Sequence, residues 1–102
     1  MRAGSRLLDA EEIDRQLLDL TGWTGDGTAL RRTYEAASFA IGIRLVDEVA
    51  REAEEMDHHP DIHVHWRSVT FVLWTHVVGG VTQLDIELAH RIADAAEGLG
   101  AT

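Results

Sequence analysis

The only proline in the chain, Pro60, stands where the hydrophobic period changes. Before it, Phe39, Ile43, Val46, Val49, Ala53 and Met56 recur at intervals of three and four, the spacing of one helix face. After it, "HVHWRSVTFVLWTHV" is rich in β-branched and aromatic residues, which suit a pleated strand. One regular element cannot cross that boundary, because the residue before proline is pushed out of the helical region. A long helix, capped by Ser38, therefore ends before "DHHP", and two strands follow with Arg67-Ser68 near their turn. In the second strand Val69, Phe71, Leu73 and Thr75 share one face, and Thr70, Val72, Trp74 and His76 the other.

The flanking segments complete the pattern. Asp9 to Leu20 carries Ile13, Leu17 and Leu20 at helical spacing, with acidic residues early, where the helix dipole favours them. In "TGWTGDGTALRRTYE" the Gly25-Asp26-Gly27 cluster marks a hairpin between two short strands. "TQLDIELAHRIADAAEGLG" predicts a last helix, with Leu84, Leu88, Ile92 and Ala95 inward and Gly98 near its C-cap. The order is α-β-β-α-β-β-α. The expected class is α+β: a four-stranded antiparallel sheet with three helices on one face. No linker or repeat divides the 102 residues, so one domain over 1–102 is expected.

Composition excludes several kinds of function. There is no cysteine, which removes disulfides, zinc ribbons and thiol nucleophiles. Nine basic residues, all arginine, face 18 acidic ones for a net charge of −9. Such a surface repels phosphate backbones, so nucleic acid is not an expected partner. No apolar run is long enough to span a bilayer, and "MRAGSRLLDAEE" lacks the apolar region of a signal peptide. A cytosolic location is the expectation.

Five of the six histidines, His58, His59, His63, His65 and His76, lie within a short stretch, and His90 sits in the last helix. Imidazoles can hold zinc, copper, iron or nickel. Here, however, there is no helical His-x-x-x-His with a glutamate base and no cysteine ligand. His63 and His65 point to one side of a strand and read as polar residues at a strand end. No metal and no cofactor is expected. Histidine titrates near neutral pH without help, which leaves acid–base work or a polar turn for His58, His59 and His76.

The full string "EEMDHHPDIHVHWRSVTFVLWTHVVGGVTQLD" resembles the pterin-4a-carbinolamine dehydratase family, also known in animals as a dimerisation cofactor of a homeodomain transcription factor. The resemblance rests on E-x-x-x-HHP, an aromatic residue, TH on the following strand, and GG-[VI]-T-x-x-D opening the last helix. "LTGW" and Phe39 upstream extend it over nearly the whole chain. It implies a hydro-lyase that dehydrates a 4a-hydroxytetrahydropterin to a quinonoid dihydropterin, recycling the cofactor of aromatic amino-acid hydroxylases. It also implies that His58, His59 and His76 are the catalytic set, with His59 and His76 transferring protons and His58 holding or polarising the substrate. Glu54, Asp57, Pro60, Thr75 and Asp85 become the contacting or supporting residues. Asp85 also completes a Thr82-x-x-Asp85 capping box. The sequence departs from the family at Ile62, His63 and Val64, at Trp66, at Trp74 where small or hydroxylated residues are frequent, and at Val77.

The resemblance implies dimers or tetramers. Trp66, Phe71 and Trp74 supply apolar area for such an interface, and closed dimers are the commonest assembly. A non-catalytic adaptor on the same fold is the alternative function, since a fold persists when chemistry is lost.

Overall fold

The computed structural model describes residues 6–102. The first five residues of the N-terminal stretch read above for a signal peptide lie outside the described residues. Seven elements follow in the expected order: α1 (Ala10–Leu17), β1 (Thr24–Gly25), β2 (Leu30–Glu35), α2 (Phe39–Met56), β3 (Asp61–His65), β4 (Ser68–Leu73) and α3 (Gln83–Gly98). The strands form one antiparallel sheet in the order β1-β2-β4-β3.

Alternation along the strands decides which sheet face is covered. Leu30, Tyr34, Val69, Phe71 and Leu73 are buried against the helices together with Ile13, Leu45, Val49, Leu88 and Ile92. Arg31, Thr33, Glu35, Asp61, His63 and His65 point to the other face and are exposed. Within the core, Tyr34 meets Trp23 and Phe71 edge-on, with ring centroids 6.4 and 6.2 Å apart. The Trp23 indole N–H donates to the Tyr34 hydroxyl at 3.1 Å. Both buried polar groups are thereby satisfied.

Several boundaries differ from the sequence reading, each for a local reason. Helix α1 begins after Asp9, which caps it in a capping box with Glu12, and it ends at Leu17. Leu20 still reaches the core, but through a turn in which its N–H bonds to Leu17 O. The inward stripe of α2 is Gly42, Leu45, Val49 and Ala53, so Phe39 and Ile43 of the anticipated stripe lie exposed. Two apolar stripes share this helix, and periodicity alone could not choose between them. On α3, Leu84 and Ala95 are only half-buried, while Ile86, Ala89 and Ala96 are buried. Gly98 ends α3 directly before its C-cap Leu99, as expected, and the left-handed glycine beyond is Gly100.

The helix before Pro60 is closed by a different residue from the proline. Asp57 adopts left-handed geometry (φ 51°, ψ 45°), and the His58 N–H bonds back to Ala53 O at 3.0 Å. That bond spans the last turn as in a Schellman closure. The restriction from Pro60 falls on His59, beyond the helix end.

The β3–β4 turn is Trp66-Arg67, one residue earlier than expected, because His65 pairs with Ser68. Trp66 has φ 51° and is 69% exposed. A bulky residue there carries a left-handed penalty of roughly 1–2 kcal/mol, more than the ~0.5–1 kcal/mol entropy cost of glycine. Trp66→Gly is therefore expected to raise stability by about 0.5–1 kcal/mol, read as a higher urea midpoint. A lower midpoint would mean that the indole makes contacts outweighing its backbone strain. Phe71, anticipated as interface area, is instead fully buried in the core.

Candidate active site

The histidines at 58 and 59 leave α2 together and then part. His58 is 7% exposed, whereas the side chain of His59 is 57% exposed. Asp57 turns the chain, and Pro60, directly before β3, disfavours helical backbone at His59.

His58 is gripped from within. Its Nε2 lies 2.6 Å from Oδ1 of Asp85, a fully buried carboxylate at the start of α3. The other oxygen, Oδ2, accepts from the Thr82 N–H and the Thr75 hydroxyl, both at 2.9 Å. Thr75 Oγ1 lies 2.8 Å from Thr82 Oγ1, which itself accepts from the Leu84 N–H. Proton directions follow in sequence: Leu84 N–H to Thr82, Thr82 O–H to Thr75, Thr75 O–H to Asp85. The remaining acceptor of Asp85 faces His58, so Nε2 carries a proton and Nδ1 of a neutral His58 keeps its lone pair. Asp85 is at once the capping-box residue of α3 and the partner of His58. Sequence had suggested both roles, but not that Thr82 joins the buried chain. Its side chain was read only as a cap.

His59 is held from outside. Glu54, one turn back on α2, places Oε2 2.7 Å from His59 Nε2. Both groups are exposed, 76% for the glutamate side chain, so the pair orients the ring more than it stabilises the fold.

His76 arrives from the loop after β4. A bridge between Thr75 and Gly80 closes that loop, with the Thr75 N–H on Gly80 O at 2.8 Å. Gly79 takes a left-handed φ of 72°. A Cβ on Gly80 would sit 2.5 Å from the carbonyl oxygen of Gly27, so this site loop packs backbone to backbone against the β1–β2 turn. Trp74 stacks on His76, centroids 3.8 Å apart and planes 22° from parallel.

The three imidazoles converge on one cavity of about 210 Å³, lined by Asp57, His58, His59, Trp74, Thr75, His76 and Val77. Glu54 and Asp85 act behind it, through His59 and His58. Pro60 adjoins it without lining it, and His63 and His65 stand apart on the open face of β3. Among the described residues, no group of three or more histidines and carboxylates is arranged to hold a metal ion. Larger clefts exist, such as one of about 320 Å³ between α2 and α3. Within it Arg91 is committed to Glu52, and it also pairs with Glu55 and Glu87 nearby.

Comparison with known proteins identifies the family of the chain. The family model for pterin 4 alpha carbinolamine dehydratase matches residues 6–95. A Mycobacterium tuberculosis (strain H37Rv) relative named "Putative pterin-4-alpha-carbinolamine dehydratase" is 50% identical over 86 residues, covering 84% of this chain and 92% of the relative. A Nocardia farcinica relative of the same name is 49% identical over 92 residues, covering 90% and 97%. The crystal structure of a transcriptional coactivator/pterin dehydratase from Brucella melitensis superposes with a TM-score of 0.86 at 30% identity, covering 89% of this chain and 99% of that one. A pterin dehydratase-like protein identified as a RuBisCO assembly factor in the alpha-carboxysome shares the fold, with a TM-score of 0.60 at 23% identity over 72% of this chain and 86% of its own. By sequence and by fold, the chain belongs to the pterin-4-alpha-carbinolamine dehydratase family.

Proposed function

We propose that the chain is a working dehydratase that converts a 4a-hydroxytetrahydropterin to the quinonoid dihydropterin and water, in the recycling of a tetrahydrobiopterin-type cofactor. The carrying observation is the convergence of His58, His59 and His76 on one cavity, two of them oriented by carboxylates.

The chemistry asks for two proton transfers. A base removes the N5 proton, the C4a–O bond breaks, and an acid protonates the departing hydroxyl. A C4a=N5 double bond and water result, with no net change in protons. Imidazoles serve both roles near neutrality. His59 and His76 are the proposed transfer pair. His58, locked by Asp85 with Nδ1 free, holds or polarises the substrate at fixed geometry. Asp57 and Thr75 border the cavity where the pterin would sit, Thr75 as part of its wall because its hydroxyl is committed to Asp85 and Thr82.

Stopped-flow dehydration of a synthetic carbinolamine tests the reading, using protein dialysed against a strong chelator. Full activity after dialysis is expected. Activity that vanished and returned with zinc or iron would replace the acid–base mechanism, and no activity under any condition would favour the adaptor function, a role in assembly like the one named for the RuBisCO assembly factor.

The chain is further proposed to act as a single domain in the cytosol and to self-associate. Among the described residues no helix is long and apolar enough to cross a membrane. Phe39 and Ile43 on α2, with Val64 and Trp66 at the β3 edge and turn, are exposed large apolar groups, which suit an interface. Light scattering coupled to size exclusion is expected to give a multiple of the 11.3 kDa chain mass. A mass of one chain would overturn the assembly.

A further inference from the structure

The catalytic cavity shares one wall with a second groove. Trp74 lines both the histidine cavity and a groove of about 280 Å³ bounded by Thr28, Ala29, Arg31, Val72 and Gly79. This groove lies on the open sheet face, where Arg31 of β2 stands opposite Val72 of β4. Arg31 is exposed and makes no side-chain hydrogen bond among the described residues. The nearby Asp26 feels its charge, but that carboxylate is turned into its own loop by the Thr28 hydroxyl and the Thr28 and Ala29 N–H groups. The groove is thus lined by the Trp74 indole and by a guanidinium that makes no side-chain hydrogen bond among the described residues.

Connectivity of the substrate says what should occupy it. In a 4a-hydroxytetrahydropterin the reacting N5 lies between C4a and C6. Histidines placed to work on N5 and C4a therefore stand beside the C6 substituent. A pterin seated with its C6 edge toward His76 would send that substituent along Trp74, the residue stacked on this imidazole. A short dihydroxyalkyl chain would leave most of the groove unfilled and reach no cation.

We infer that Trp74 and Arg31 form an accessory subsite for a reduced pterin whose C6 substituent carries an aromatic ring and ends in a carboxylate. The ring lies against the indole, offset or edge-on, and the carboxylate pairs with the guanidinium, which presents a planar fork of donors suited to it. Trp74 becomes a specificity-determining residue as well as the support of His76. The inference rests on the dehydratase reading and replaces the biopterin-type side chain in it with an aryl carboxylate.

The test is calorimetric titration of the 102-residue chain with two stable product-like ligands, 7,8-dihydrofolate and 6-methyl-7,8-dihydropterin. Dihydrofolate carries the aryl and carboxylate groups, and the methyl compound carries neither. Tighter binding of dihydrofolate by about tenfold is expected from stacking plus one partly screened ion pair. Trp74→Val and Arg31→Ser should each pull the ratio of the two dissociation constants toward one. Arg31 is exposed, so its replacement keeps the fold and the test stands even where Trp74→Val disturbs the site. Equal affinities in the parent chain, or a ratio unmoved by both substitutions, overturn the subsite and leave the dehydratase reading intact. Failure of both ligands to bind overturns the two together.

Discussion

His59→Ala and His76→Ala are each expected to slow dehydration by about 10²–10⁴-fold, the usual contribution of a positioned general acid or base. His63→Ala and His65→Ala should leave the rate nearly unchanged. The contrast follows from position. The first two rings line the 210 Å³ cavity, while the other two stand on the open face of an edge strand. His59 and His76 are exposed, so truncating them removes little packing, and circular dichroism should show each variant folded. Equal losses at His63 or His65 would move the site to the opposite side of β3. Glu54→Gln adds a graded check: it keeps a hydrogen-bond partner for His59 but removes the charge, and a smaller loss than His59→Ala is expected.

The second large effect belongs to Asp85 and splits into stability and rate. Asp85→Ala removes a fully buried acceptor from His58, Thr75 and the Thr82 N–H at once. Breaking a buried pair in this way costs about 3–5 kcal/mol, a large share of the stability of an ordinary domain. A urea midpoint near that of the parent chain would show that the cluster is not held as described. Asp85→Asn acts differently. Its amide oxygen can still accept from Thr75 and Thr82, so most stability remains. Its amide nitrogen then donates to His58 Nε2 and moves the ring proton to Nδ1. The side of the ring left for substrate changes from acceptor to donor, and a tautomer error of this kind abolishes most activity in hydrolytic triads. A loss of about 10²-fold in a folded protein is expected. An Asp85→Asn variant with full rate would mean that the tautomer of His58 has no part in catalysis.

How much of this was legible beforehand depended on how local each cause is. The seven elements followed from period and turn chemistry, because Ser38, Gly25-Asp26-Gly27 and Pro60 punctuate them within a few residues. The faces of β4 were readable for the same reason. The inward stripe of α2 was legible in its second half, where Val46, Val49, Ala53 and Met56 face the core, but not in its first turns. Phe39 and Ile43 are apolar at the right spacing, but in those turns Gly42, close over Val69, and Leu45 are the buried residues instead. The helix stop was placed correctly but given to Pro60, since nothing local distinguishes Asp57 as the residue that turns left-handed. At the site, resemblance supplied the histidines and Asp85. It could not supply the stack of Trp74 on His76 or the inclusion of Thr82 in a proton chain, because both depend on how the loop after β4 folds back onto α3.

The unequal setting of the two neighbouring histidines bears on turnover. His58 is sealed among buried groups, whereas His59 faces solvent beside an exposed glutamate. On the proposed assignment, each cycle leaves one ring of the transfer pair with an extra proton and the other with one too few. A ring in contact with bulk water can reset through buffer in solution, without a lid opening or an internal relay. Small, permeant buffers should therefore speed the return to the starting protonation state wherever that return limits the cycle.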